Sequence, residues 1–166
     1  MAETILTIDG ISFPLGSARG ISEQVKPIQG GEQERDWNGV LVDLTRPEFR
    51  KYAVTLSCKD QEHPTFGDVW PGTTVTVSCI KRLRQASAGT EITLIRDPVA
   101  GSVRAENPTT GARIEVVSVT GRAVVLAAAP AIVSFRPTLS CQVMDWNADT
   151  EEYAAARGWT LSLEEI

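Results

Sequence analysis

The sequence is short of the side chains that most often carry chemistry. It has one histidine, His63, and three cysteines, Cys58, Cys79 and Cys141, far apart and with no Cys-x-x-Cys pair. A structural zinc site of ordinary spacing is therefore not indicated. Each cysteine falls in the apolar phase of an alternating run, where it behaves as a small core hydrophobe, so buried reduced thiols are expected and a disulfide is open only to neighbouring strands. No long apolar stretch occurs, and the N-terminal residues lack a basic segment followed by a hydrophobic run. Neither a membrane span nor a cleaved signal is expected, and synthesis in the cytoplasm follows. Gly30-Gly31 is followed by Glu32 without the Lys and Ser/Thr of a phosphate-binding P-loop. A net charge of −5 speaks against a surface built to bind nucleic acid through phosphates.

What is present is β patterning. With 42% hydrophobic residues in 166, the chain supports one substantial core and is short for two. Thr4–Ile8, Asp9-Gly10 and Ile11–Leu15 read as an N-terminal hairpin, with Pro14 ending its second arm or marking an edge. Gly16 to Arg35 is Gly-punctuated and polar, which predicts an extended arm or loop that orders against a neighbouring subunit. Asn38-Gly39 signals a second hairpin, followed by Val40, Val42 and Leu44 in alternation. Thr45 and Glu48 match a capping box around Pro47, enough for one helical turn. Tyr52, Val54, Leu56 and Cys58 then share one face of the clearest strand in the chain.

Asp60 to Gly72 is turn-rich, with Trp70 expected over the core edge, and Thr74–Ile80 is the next strand. Lys81 to Pro130 contains no aromatic residue. Strands are predicted at Glu91–Ile95, Ser102–Ala105, Ala112–Val119 and Arg122–Ala128, the last two joined at Thr120-Gly121. A helix through Ala123–Ala131 is disfavoured by Val124, Val125 and Pro130. Leu139, Cys141 and Val143 share a phase, with Met144 and Trp146 switching face. Residues 151–156 suit a short helix capped by Asp149 or Thr150 and stopped at Gly158. Trp159, Leu161 and Leu163 close the chain as a strand. The fold class implied is mainly β, a β-sandwich or barrel-like domain built from hairpins, with an inserted β-hairpin layer and at most one short helix near the C-terminus. Its expected organisation is an N-terminal hairpin and arm over 1–36, a core β domain over 37–80 and 131–166, and an inserted β-hairpin segment over 81–130.

Candidate chemistry is thin. His63 sits among Asp60, Glu62 and Pro64, so a carboxylate–imidazole base can be drawn, but no nucleophile accompanies it and a surface-loop histidine is the simpler reading. Asp145, Asp149, Glu151, Glu152, Glu164 and Glu165 lack the spacing of a calcium loop and read as a solvated acidic rim. Lys81-Arg82-Leu83-Arg84, and Arg46 with Arg50 and Lys51, lack the aromatic interleaving of a nucleic-acid surface, so pairing with acidic groups in the fold or on a neighbour is expected. Trp37, Trp70, Trp146 and Trp159 border predicted strands, where core or interface packing outweighs a ligand platform. No residue is assigned to catalysis, to a cofactor or to a metal.

Trp37-Asn38-Gly39 to Leu44, Phe49-Arg50-Lys51-Tyr52 to Cys58 and Asp60, Trp70-Pro71-Gly72, the Val75–Cys79 strand and Arg136-Pro137-Thr138-Leu139 to Met144, Trp146, Glu151, Trp159 and Leu161–Glu164 together cover roughly half the chain. This pattern resembles small structural proteins of the tails of long-tailed, siphovirus-like bacteriophages. The resemblance implies a non-enzymatic virion component of the distal tail or baseplate region, contributing to tail assembly and host attachment. It also implies a homo-oligomeric ring of six copies in contact with other tail or baseplate proteins, without direct nucleic-acid contact or membrane insertion. A tail-tube, tail-terminator or head-to-tail joining protein is the nearest alternative. A stand-alone carbohydrate- or protein-binding β domain is the alternative from another class.

Overall fold

The computed structural model of the chain describes residues 4–28, 33–43, 46, 49–151 and 157–166. In chain order its strands are β1 (Thr7–Ile8), β2 (Ser22–Ile28), β3 (Gln33–Arg35), β4 (Leu41–Asp43), β5 (Lys51–Asp60), β6 (Thr74–Ser78), β7 (Leu83–Ser87), β8 (Glu91–Thr93), β9 (Arg104–Glu106), β10 (Arg113–Ile114), β11 (Val116–Thr120), β12 (Ala123–Leu126), β13 (Ala131–Phe135), β14 (Thr138–Asp149) and β15 (Arg157–Glu165). The fold is mainly β, with antiparallel sheets of sandwich- or barrel-like character, as the patterning predicts. The described residues divide into two compact units, one drawn from residue 4 and the stretches 10–75 and 140–166, the other from residues 5–9 and 76–139.

In the first unit β5 is central, paired along one edge with β2 and along the other with β15, which pairs in turn with β14. Period-two alternation does what it should: Val54, Leu56 and Cys58 of β5 are buried, as are Leu161 and Leu163, their neighbours on the same face of β15. Central placement satisfies the backbone of β5 on both sides, while its buried face removes apolar side chains from water. The β14–β15 pairing shifts register between Val143 and Asp145. Because Val143, Trp146 and Ala148 oppose Leu163, Leu161 and Trp159, this bulge keeps Trp146 on the core face while Met144 is exposed. The expected change of face thus applies to Met144 and not to Trp146.

Three other expectations are corrected here. Ser22–Ile28 is a seven-residue strand matched to β5 over its length, not a loop awaiting a neighbour. A polar strand is stable there because it lies at an edge, buries only Val25 fully, and can carry Pro27 without a lost ladder bond on both sides. Residues 11–20 also order on their own chain. Ile11, Ser17 and Ala18 are buried, the Thr65 amide donates to the Ser12 carbonyl, and the Glu62 amide donates to the Gly16 carbonyl. Finally, Thr7–Ile8 does not pair with Ile11–Leu15: Asp9-Gly10 turns, with Gly10 at φ +80°, but β1 takes β6 as its partner. The capping-box residues Thr45 and Glu48, and most of the expected 151–156 helix, lie outside the described residues.

The second unit contains β1 with residues 76–78 of β6, a four-stranded sheet ordered β10-β9-β13-β7 and a three-stranded sheet ordered β11-β12-β8. Leu94, Ala105, Ile114, Val124, Leu126, Ala131, Val133 and Phe135 form its core, with Phe135 the one aromatic among them. The disfavoured helix at Ala123–Ala131 is absent: Ala123–Leu126 is β12, joined to β11 through Gly121 at φ +57°. Sequence reading missed β7, whose run Leu83-Arg84-Gln85-Ala86-Ser87 has only Leu83 as a sizeable apolar anchor.

Leu56→Asp places an unpaired charge in a fully buried position, which should cost more than about 4 kcal/mol and prevent folding. Leu161→Ala should cost about 2–5 kcal/mol by leaving a cavity. Chemical denaturation of the two variants checks both; a folded, cooperative Leu56→Asp protein would mean that β5 is not the core strand.

Candidate functional site

The three cysteines are buried thiols with no disulfide among them. Burial pushes the Cys141 thiol up to about 12, with Glu165 adding to it from the paired strand. Such a thiol is a core side chain and not a nucleophile. His63 is half-buried, and its Nδ1 lies 2.9 Å from the Pro64 carbonyl oxygen. Among the described residues no three His, Cys, Asp or Glu side chains converge in a group able to hold a metal ion. The acids Asp145, Asp149, Glu151 and Glu164 are solvent-exposed, and Glu165 accepts from the Tyr52 amide at 2.9 Å.

Asp60 behaves differently. It is buried at the end of β5, and the Arg19 guanidinium donates to both of its carboxylate oxygens, with the shortest contact at 2.8 Å. The Arg19 amide donates to Oδ2 at 2.9 Å and the Gln61 amide to Oδ1 at 2.8 Å. The Arg19 side-chain hydrogen bond is the main cause that lowers the Asp60 carboxyl to about 2; burial opposes it and the two amides assist. The role is structural, clamping residues 16–20 to β5. The acid that a carboxylate–imidazole base at His63 would need is thus held by Arg19.

The tryptophans separate into two kinds. Trp159 is buried beside Phe13 and Phe66, and its indole N–H donates to the Ser17 carbonyl at 2.9 Å. Trp146 stacks on Phe66 with ring centroids 4.9 Å apart and donates to the Val69 carbonyl at 2.8 Å. These two fill the core, as borders of strands should. Trp70 does not cover the core edge: it is 71% exposed, held in a turn whose Gly72 amide bonds the Val143 carbonyl. Trp37 is 94% exposed.

Trp37 tops the hairpin of β3 and β4, in which Arg35 pairs with Leu41. Its loop is rigidly built. The Asp36 amide donates to the Val40 carbonyl and the Gly39 amide to the Asp36 carbonyl, both at 2.9 Å. Asp36 Oδ1 accepts from the amides of Asn38 at 2.8 Å and Val40 at 2.9 Å, and Arg35 donates to the Gly39 carbonyl. Gly39 at φ +80° supplies the left-handed position that the Asn-Gly signal anticipates. The ordered loop presents Trp37, Val40, Leu41 and Val42 to solvent. Covering one indole removes roughly 150–250 Å² from water, or about 5 kcal/mol of transfer free energy, which the hairpin alone does not gain. Nor does a two-strand ribbon bury enough to be stable by itself. Its outer edges carry no other strand among the described residues. This hairpin, with exposed apolar residues at its tip and on β4, is the candidate functional surface. The Asn38-Gly39 signal gives its turn, while the expectation of core or interface packing for Trp37 narrows to an exposed position in the single chain, because alternation reports a sided strand without saying which partner covers that side.

Comparison of the chain with protein-family models, with curated proteins and with solved structures gives no match.

The Asp60 clamp has a defined pH signature. A carboxyl held near 2 in the folded state and near its ordinary 3.8 when unfolded leaves the unfolded chain binding more protons between those values. Its stabilisation is therefore full above about pH 4–5 and lost as pH falls through about 2. Asp60→Asn should lower the urea midpoint at pH 7 and flatten its decline between pH 4 and 2. An acid limb identical to that of the parent protein would contradict the clamp.

Proposed function

We propose that the chain is a non-catalytic structural component of a bacteriophage tail, a ring-forming distal tail or baseplate protein whose copies associate through the β3–β4 hairpin. The observation that carries the reading is the hairpin itself: an ordered loop exposing Trp37 beside Val40, Leu41 and Val42. Tryptophan on a rigid support is the residue type that most often anchors a protein interface. The open edges of β3 and β4 add a second means of association, strand addition, in which backbone groups supply the hydrogen bonds. The tail assignment rests on the resemblance carried by the Trp37–Asp60, Trp70–Cys79 and Arg136–Glu164 blocks, and the expected ring of six copies with it. Closed rings repeat one heterologous contact, so each copy would offer its hairpin to a different surface of the next copy.

The exposed indoles of Trp37 and Trp70 favour one other reading, a stand-alone glycan-binding domain, since flat aromatic faces suit sugar rings. Sedimentation velocity across a concentration series separates the two. The ring reading predicts oligomers for the parent chain. It further predicts that Trp37→Ala, which changes monomer stability by less than about 0.5 kcal/mol, weakens association by about 2 kcal/mol or more, near 30-fold. A parent chain that stays monomeric at every concentration and binds glycan through Trp37 would overturn it.

A further inference from the structure

The outer face of the β10-β9-β13-β7 sheet gathers positive charge on a chain whose net charge is −5. Ser134 of β13 lies opposite Arg84 of β7 on one side and Arg104 of β9 on the other, so the three share one rung and one face. Two strand spacings put the backbones of Arg84 and Arg104 roughly 10 Å apart. On the next rung Glu106 opposes Arg113. The reverse face carries Ala105, Ile114, Val133 and Phe135 into the core, so the arginines have no access to that side. Arg82 is fixed across the strands by its guanidinium, which donates to the Ser134 carbonyl at 2.9 Å, to the Ser134 hydroxyl and to the Ser102 carbonyl. Together Arg82, Arg84, Arg104, Glu106, Arg113 and Ser134 line a cleft of about 370 Å³.

The charges in this cleft do not cancel. Among the described residues only Arg84 of the cleft has a carboxylate partner, Glu106, and at 4.0 Å that pair is long. Among the described residues Arg104 and Arg113 have no ion pair, and Arg82 is held by neutral oxygens. Four guanidinium groups face one carboxylate, a local excess of three positive charges. Burial, then the like charges of Arg104, Arg136 and Arg84, lowers the Arg82 pKa, the electrostatic mark of the same crowding. A monovalent carboxylate would leave most of this excess in place. A phosphate dianion offsets more of it and matches the planar fork of a guanidinium with two oxygens at once.

We propose that this cleft is a phosphate-binding site, with Arg104 and Arg113 as its mobile ligands, Arg82 as the fixed one and Ser134 as a hydroxyl donor. Glu106 tempers its charge by engaging Arg84. The inference is independent of the tail reading, since it concerns the second unit alone.

The full-length chain is titrated with inorganic phosphate in the millimolar range, with ionic strength held constant by sodium chloride, and binding is read by calorimetry and by the shift in thermal midpoint. Phosphate should raise the midpoint progressively, as a ligand of the native state must, whereas acetate at the same ionic strength should not. Arg104→Gln and Arg113→Gln, both at exposed side chains, should keep the parent's midpoint without phosphate and each reduce affinity about 10-fold. Glu106→Gln should tighten it several-fold by releasing Arg84. A short single-stranded oligonucleotide at equal phosphate concentration identifies the carrier. Much tighter, salt-sensitive binding that the same arginine variants weaken would mean that the phosphate is held on a polymer, and equal binding would mean a free ion. A phosphate response no larger than that of acetate, or one that both arginine variants retain in full, overturns the proposal.

Discussion

The pairing of β5 along both of its edges is the constraint on which the first unit depends. Ten residues alternate there, and the side chains of Val54, Leu56 and Cys58 turn inward against the matching face of β15. A shift of one residue would expose all of them together, so register is strongly specified. Two devices hold the flanking chain to this strand. The Asp60 carboxylate clamps Arg19 and the residues around it, and the Trp159 indole reaches the Ser17 carbonyl. Both hydrogen-bond groups that would be costly to bury unpaired, which is why a segment with little apolar content follows a defined path.

The hairpin at 33–43 obeys a different logic. Its order comes from backbone bonds, from the Asp36 side chain and from Gly39, all local, and not from burial of its apolar residues. A loop rigid before contact loses little conformational freedom when a partner covers it. Exposed Trp37 and the open strand edges are the features on which the proposed association rests. The arginine face of the second unit is a separate surface with the opposite character, polar and crowded with like charge.

Legibility in the sequence followed the strength of local pattern. β5, β6 and β15 were evident because Tyr52–Cys58, Val75–Cys79 and Trp159–Leu163 alternate cleanly. β2 was hidden because an edge strand needs few apolar residues, and Ser-Glu-Gln-Val-Lys-Pro-Ile contains little that periodicity can register. The bulge at Met144 was misread as a change of face, since an inserted residue and a reversed phase look alike in one strand and differ only in the register of its partner. Trp70 is expected over the core edge and Trp37 in a core or an interface because each borders a strand, yet exposure of a large ring depends on tertiary contacts that no local signal encodes. The basic cleft was legible only in part: Lys81-Arg82-Leu83-Arg84 stands out as a basic run, but Arg104 and Arg113 lie on other strands, and only the sheet order brings them beside Arg82 and Arg84.

Electron cryo-microscopy of particles that contain the chain tests the assembly reading most directly. The account predicts repeated copies arranged as a ring in the tail, with Trp37 of each copy buried against a neighbouring subunit. Particles whose tails lack the chain, or a ring in which Trp37 remains in solvent, would contradict it.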